Sequence, residues 1–291
     1  MIKKCLFPAA GYGTRFLPAT KSMPKEMMPI VNKPLIEYGV DEAIQAGMKD
    51  MCIVTGRGKY SLMDHFDKNY ELEHQIKGTN KESLLNDIRK IMNSATFTFT
   101  RQGEMLGLGH AILVGRELIG DEPFAVVLAD DLCINEDGAG VLEQMVRLYN
   151  QFRCTIVAVE EVPENETNKY GIIEGTQLSC DLFRVENMVE KPELGTAPSN
   201  LAIIGRYILT PDIFELIENT PAGKNGEIQI TDALLQQAKN GCVIAYKFKG
   251  KRFDCGSVEG YMEATNYCYN NIYLKKADVS LAKQDTHKIE K

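Results

Sequence analysis

The sequence predicts an α/β fold, with a central mixed, mainly parallel sheet flanked by helices. Strand-like apolar runs recur at Lys4–Phe7, Asp50–Val54, Thr96–Thr100, Ala125–Leu128 and Thr155–Val159, with helical stretches between them. Strand, helix and strand repeated in this way argue for parallel strands joined by covering helices. Such sheets bind ligands outside the carboxyl ends of their strands, so the residues directly after each strand carry the functional argument.

Each element has its own signal. Residues 34–47 place apolar side chains at helical spacing and stop at Gly47. Residues 59–95 are polar and charged but keep Leu84, Leu85, Ile88, Ile91 and Met92 in helical register, which predicts one or two surface helices projecting from the core. Val258–Tyr273 reads as a helix carrying Tyr261, Met262, Tyr267 and Tyr269, packed either within the subunit or across an interface. No internal repeat or linker interrupts the chain. The expected organisation is one domain over residues 1–276 with a helical insertion at 59–95, followed by a polar tail at 277–291.

The first strand runs into Ala9-Ala10-Gly11-Tyr12-Gly13-Thr14-Arg15. Small residues and two glycines let backbone N–H groups approach an anion closely. Arg15, Lys21 and Lys25 follow, enough positive charge to hold a triphosphate. The dinucleotide fingerprint would need a third glycine where Phe16 stands, and a P-loop would need Gly-Lys-Ser/Thr. A tight strand-to-helix turn alone would explain Gly11 and Gly13. It does not explain Thr14-Arg15 together with Pro24-Lys25-Glu26.

These residues carry a family resemblance. Gly11-Tyr-Gly-Thr-Arg-Phe-Leu-Pro-Ala-Thr-Lys21, followed by Pro24-Lys25, resembles the signature of the sugar-phosphate nucleotidylyltransferases, and later motifs extend the match from about residue 3 to about residue 270. The resemblance implies a Rossmann-like three-layer fold of the nucleotide-diphospho-sugar transferase type. It also implies transfer of a uridylyl group from UTP to glucose 1-phosphate, giving UDP-glucose and pyrophosphate. The insertion at 59–95 favours uridylyl over thymidylyl transfer, and a homo-oligomer (dimer or tetramer) is expected. Among the site residues, Arg15, Lys25 and Lys191 become catalytic candidates, and Ala9, Ala10, Gly11, Gly13, Glu26, Gln102 and Gly107 candidate nucleotide contacts.

Ala125-Val-Val-Leu-Ala-Asp130-Asp131 is a buried strand running into two carboxylates. Mg²⁺ prefers carboxylate and phosphate oxygens and takes one or two carboxylates from a protein, although an Asp here could equally cap a turn. Neighbouring strand residues point to opposite faces, so only one of the two faces a ligand. The resemblance selects Asp130 and assigns Asp254, in Arg252-Phe-Asp-Cys-Gly256, as the second Mg²⁺ ligand. Alone, Asp254 would read as a turn residue. Asp131, where many relatives are apolar, has no assigned role.

Gln102-Gly-Glu-Met-Leu-Gly107-Leu-Gly109-His110 follows a strand. A Gln amide offers a donor and an acceptor, matching two groups on a uracil edge, and the resemblance places Gln102 and Gly107 at the base. The loop could also serve folding alone, and His110 reads as a helix-start residue rather than a catalyst. On the sugar-phosphate side the candidates are Gly171, Glu190 and Lys191. Glu190-Lys191 would otherwise read as a solvated surface pair. Thr231 or Asp232 is expected to cap the following helix.

Bulk properties narrow the alternatives. A net charge of −7 argues against nucleic-acid or anionic-membrane partners. The eight cysteines form no C-x-x-C pair and the four histidines no zinc spacing. Lys3-Lys4 leads straight into a strand, so no secretory signal is expected and the cytoplasm is the expected compartment. Two rivals remain: a silent sugar-nucleotide sensor, which could dispense with the carboxylates and basic residues, and a dehydrogenase, which lacks its third glycine.

Overall fold

The computed structural model describes residues 1–223 and 226–275; the tail expected at 277–291 lies outside them. The chain enters through β1 (Lys4–Ala9), makes a small hairpin of β2 (Pro29–Ile30) and β3 (Lys33–Pro34), and passes through α1 (Leu35–Gln45) into β4 (Asp50–Thr55). Helices α2 (Tyr60–His65), α3 (Tyr70–Ile76) and α4 (Asn86–Ser94) precede β5 (Thr96–Arg101). Helices α5 (Gly107–Val114) and α6 (Arg116–Ile119) lead to β6 (Phe124–Val127), β7 (Asp131–Ile134), α7 (Val141–Phe152) and β8 (Thr155–Glu161). A hairpin of β9 (Gly171–Ser179) and β10 (Leu182–Glu190) then gives way to β11 (Leu201–Leu209). Helices α8 (Ile213–Glu218) and α9 (Ile230–Asn240), strands β12 (Val243–Lys247) and β13 (Lys251–Asp254), and helix α10 (Val258–Cys268) complete the order.

Nine strands form one mixed sheet in the order β5-β4-β1-β6-β11-β8-β12-β10-β9. Strands β5, β4, β1 and β6 are parallel neighbours, as the strand–helix alternation predicts, and β8 and β12 form another parallel pair. Strand β11 runs antiparallel between β6 and β8, and the β9–β10 hairpin adds antiparallel strands at one edge.

The two-residue period of the strands builds two cores. Cys5, Phe7, Met51, Ile53, Ala125 and Val127 face one side, where α1 and α7 bury Ile36, Val40, Leu142 and Met145. Leu6, Cys52, Val54, Phe124 and Val126 face the other, against Ile112, Phe214, Ile217 and Leu234 of α5, α8 and α9. Strands apolar on both faces are what a sheet covered on both sides requires. The result is a helix–sheet–helix sandwich.

The segment 59–95 differs from expectation. It forms three α-helices and a 3₁₀ turn (Glu82–Leu85) rather than one or two helices. Asn69 caps α3 by accepting from the Leu72 N–H at 2.9 Å, and Gly78 has φ 76. Nor does the segment simply project: Leu62, Phe66 and Ile91 are buried in the first core, with Phe66 stacked on Phe97 at 4.3 Å. The C-terminal helix divides its aromatic residues. Tyr267 packs on Phe253 and Tyr261 bonds the Pro29 carbonyl at 2.6 Å, whereas Met262 and Tyr269 stay exposed. Among the described residues no helix is long and apolar enough to cross a membrane.

Candidate active site

The parallel strands β1, β4, β5 and β6 all end on one rim of the sheet, and the loops that follow carry most of the candidates. A cavity of about 1250 Å³ opens there, larger than the usual range for one ligand of drug size and so roomy enough for two reactants. Arg15, Lys25, Asp130 and Asp254 line it, as do Gly107, Gly171, Glu190 and Lys191. Ala9, Ala10, Gly11, Gly13, Glu26 and Gln102 are not among the residues lining it. A second cavity of about 720 Å³, between α1, α4 and the C-terminal helix, contains none of the candidates.

The phosphate-loop candidates sit at the end of β1. Gly13 has φ 65, and a side chain there would begin 3.0 Å from Lys25 Cβ, so the position excludes larger residues twice over. The Thr20 hydroxyl donates to the Gly13 carbonyl at 2.7 Å and closes the loop. A Cβ on Gly11 would meet no protein atom within 4 Å, which leaves open space over the loop.

The acidic centre joins positions far apart in sequence. The Cys255 N–H donates to the Asp130 carbonyl at 2.8 Å, and the β7–β13 register sets Asp131 opposite Asp254. A Cβ on Gly256 would lie 3.0 Å from Asp254 Oδ1, 3.1 Å from Asp130 Oδ2 and 3.1 Å from an Arg15 guanidinium nitrogen. The two carboxylates and the guanidinium therefore face one small space, and Gly256 leaves that space empty of side chain. Lys25 Nζ donates to Asp130 Oδ2 at 2.5 Å, placing a cationic group on this carboxylate. Burial opposes the Asp130 charge, but Lys25, a backbone hydrogen bond and Arg15 together outweigh it and hold the carboxyl below its ordinary pKa. For Lys25, burial is likewise outweighed by Asp130 and Glu26, and its pKa is raised.

This donor set fits Mg²⁺. Among the described residues no three His, Cys, Asp or Glu side chains gather as a closed metal cage. Two carboxylates beside space for phosphate oxygens are what this cation ordinarily uses.

Asp130 lies in the turn before β7 rather than on the strand, so strand alternation does not separate the two; the Asp131 carboxylate is instead taken up by two partners. Its Oδ2 accepts from the Gly205 N–H at 2.7 Å, and its Oδ1 from Arg252 Nε at 2.6 Å. Arg252 also donates to Glu160 at 2.6 Å and stacks on the Tyr170 ring at 5.1 Å. Asp131 is thus a structural anion matched by Arg252. Sequence reasoning missed the pair because 121 positions separate its members.

Two other expectations change. Glu26, a candidate nucleotide contact, is 1% exposed and accepts from Lys59 Nζ with both oxygens, at 2.8 and 2.9 Å. Its carboxylate is spent on Lys59, and Glu26 is not among the residues lining the cavity. Thr231 does not cap α9, whose N-cap residue is Gln229. Its hydroxyl instead donates to Glu190 Oε2 at 2.6 Å, and Gly171 leaves room for that contact, since a Cβ there would lie 3.0 and 3.1 Å from the two oxygens. Lys191, beside Glu190, has φ 45, one of three positive-φ non-glycine residues among those described. A left-handed lysine is strained by about 1–3 kcal/mol, and such strain gathers at functional sites.

Gln102 follows β5, where its N–H donates to the Thr55 carbonyl at 2.9 Å. Its side-chain nitrogen lies 3.3 Å from the Gly107 carbonyl and 3.0 Å from His110 Nδ1. With His110 Nδ1 unprotonated, both amide hydrogens are spent within the protein. The expectation that Gln102 presents a donor and an acceptor changes accordingly: only its oxygen remains.

Comparison with known proteins gives the same direction. The nucleotidyl transferase family profile matches residues 6–271. A UTP–glucose-1-phosphate uridylyltransferase of Pseudomonas aeruginosa is 72% identical over 273 residues, covering 94% of this chain and 98% of that protein. A solved UDP-glucose pyrophosphorylase complexed with UDP-glucose superposes with a TM-score of 0.87 at 60% identity, over 92% of this chain and 99% of the other. A UTP-bound UGPase from Acinetobacter baumannii also gives 0.87, at 39% identity and 97% and 99% coverage. By sequence and fold the chain belongs to the nucleotidyl transferase family.

Proposed function

We propose that this protein transfers a uridylyl group from UTP to α-D-glucose 1-phosphate, giving UDP-glucose and pyrophosphate. The observation that carries the reading is the gathering of Arg15, Lys25 and Lys191 with Asp130 and Asp254 around one cavity. The Pseudomonas relative supports the choice of nucleotide and sugar.

A phosphate oxygen of glucose 1-phosphate attacks the α-phosphorus of UTP. The new P–O bond forms as the bond to the β-phosphate oxygen breaks, and its electron pair leaves with pyrophosphate. Two anions must meet, so charge and orientation are the obstacles rather than proton transfer. Arg15 and Lys25 neutralise the triphosphate and its leaving group, and Lys191 holds the attacking phosphate. Glu190, held by Thr231, accepts from sugar hydroxyls. Two reactants held in line gain about 7–11 kcal/mol from orientation, so no general base is required.

Nucleotidyl transferases generally use a divalent metal, and our reading makes it Mg²⁺ on Asp130 and Asp254. Bound there, Mg²⁺ supplies neutralisation and orientation of phosphate oxygens. Residues 1–276 act as one catalytic domain in the cytoplasm, consistent with the eight cysteines all being free. Exposed Val258, Met262, Tyr269 and Tyr273 on the C-terminal helix favour a homo-oligomer, which light scattering would measure.

The deciding experiment follows pyrophosphate release from UTP plus glucose 1-phosphate with Mg²⁺, and again with excess EDTA. Release that needs both substrates and metal is expected, with dTTP and ATP poorer than UTP. No release from folded protein with any nucleotide–sugar pair would turn the reading toward a silent sugar-nucleotide sensor.

A further inference from the structure

The Gln102 amide is held in one orientation, and the residue that helps hold it is His110. The Gly107 oxygen is a carbonyl and can only accept, so the amide atom 3.3 Å away must be the nitrogen. With Nε2 fixed on that side, its second hydrogen points at His110 Nδ1, 3.0 Å away. That ring nitrogen must then be the unprotonated acceptor, with the imidazole proton on Nε2. Gln102 is 5% exposed, so an amide turned the other way would set its oxygen against the Gly107 carbonyl. Among the described residues no donor reaches Gln102 Oε1, and the atom is not one of the fully enclosed orphans.

We infer that His110, together with the Gly107 carbonyl, sets the base specificity of the nucleotide site by holding the Gln102 amide oxygen outward. This rests on the uridylyl-transfer reading and on Gln102 facing the base. A fixed acceptor matches the imide N3–H of uracil. Cytosine offers an acceptor at N3, so two lone pairs would oppose each other and neither would be satisfied. Thymine keeps the imide N–H, so the device cannot separate uracil from thymine. His110 is thus a positioning residue acting through Gln102, touching no substrate itself. Its place in the first turn of α5 brings Nδ1 back over the loop, and the Gly109 N–H bond to Ile228 at 2.9 Å anchors that turn.

The test uses His110→Phe, which keeps a ring of similar size and removes the acceptor, and His110→Asn, whose amide oxygen can take the place of Nδ1. Should the Phe variant not fold, His110→Met removes the same acceptor. Equilibrium binding and kcat/KM are measured for UTP, CTP and dTTP. A site built around one hydrogen bond rejects the mismatched analogue strongly, so the wild type should favour UTP over CTP by about a hundredfold or more. In His110→Phe one of the two restraints on the amide is lost and only the Gly107 carbonyl still opposes its turning to donate to cytosine N3, so that ratio should fall by about three- to tenfold. The UTP to dTTP ratio should stay the same, and His110→Asn should restore most of the UTP to CTP ratio. An unchanged UTP to CTP ratio in His110→Phe overturns the inference, as does an equal fall in both ratios, which would signal a loosened pocket. Wild-type protein that binds UTP over CTP but transfers nothing would count against the reaction, leaving the role of His110 readable from binding.

Discussion

Arg252, whose guanidinium comes within 4.0 Å of Asp254, holds the Asp131 carboxylate through Nε at 2.6 Å and through a second guanidinium nitrogen at 2.5 Å. The two side chains are 6% and 10% exposed, so neither charge has water to fall back on. Removing one partner of such a pair strands the other, at a cost of about 3–5 kcal/mol. Arg252→Met and Asp131→Leu should each lose stability on that scale in urea unfolding. The double variant should lose less than the sum, because the two charges vanish together, although Glu160 then keeps its carboxylate without Arg252 and the Gly205 N–H loses its acceptor. Strictly additive losses would show that the contact does not couple the two residues.

Lys25 and Asp130 form a second ion pair at the same cavity. In Asp130→Asn the acidic partner goes while Lys25 stays, so the triphosphate keeps its cation and the metal loses a ligand. Turnover should fall at least about a hundredfold, the scale on which single electrostatic contacts act in catalysis. The KM for UTP should change little. Titration with Mn²⁺, followed by electron paramagnetic resonance, should show weakened metal binding in the variant. Wild-type Mn²⁺ affinity together with near-normal turnover would remove Asp130 from the metal site.

The contrast between these pairs shows what the sequence discloses. Strands β1, β4, β5 and β8 were legible because their apolar runs are short, repeated and bounded by helical stretches. Asp130, Asp254, Lys25 and Lys191 were accessible because each sits in a local motif that a resemblance can match. Asp131–Arg252, Glu26–Lys59 and Glu190–Thr231 were not, because each is a contact between side chains far apart in the chain. Strand register and loop approach create those contacts, and no local pattern encodes them. The break-up of residues 59–95 was missed for a different reason. Helical periodicity survives across Asn69 and Gly78, although an N-cap and a left-handed glycine divide the segment there.

Lys191 combines strain with function, and two substitutions separate them. Lys191→Ala should lower kcat/KM for glucose 1-phosphate by orders of magnitude while leaving UTP binding nearly intact. Lys191→Gly should be as inactive but more stable than the Ala variant by about 1 kcal/mol, because φ 45 costs glycine nothing. Thermal unfolding of the two variants measures the difference. A less stable glycine variant would mean that the left-handed backbone is not under strain.

The Glu26–Lys59 pair makes a prediction about pH. Burial outweighs the attraction of Lys59 and raises the Glu26 pKa above its ordinary value of 4.5, while burial lowers that of Lys59. The folded protein therefore holds the Glu26 proton more tightly than the unfolded chain does. The contribution of Glu26 to stability is full below pH 4.5 and declines as pH rises through the folded value. Replacing both residues, Glu26→Gln with Lys59→Met, removes that component and the opposed titration of Lys59. Measured by urea unfolding from pH 4.5 upward, wild type should lose stability relative to the double variant until Glu26 is fully ionised. Near neutral pH the double variant should be at least as stable, since neutral replacement of a buried ion pair is often neutral or favourable. Parallel stability curves would mean that Glu26 titrates alike in the folded and unfolded chains, and that its burial has no electrostatic consequence.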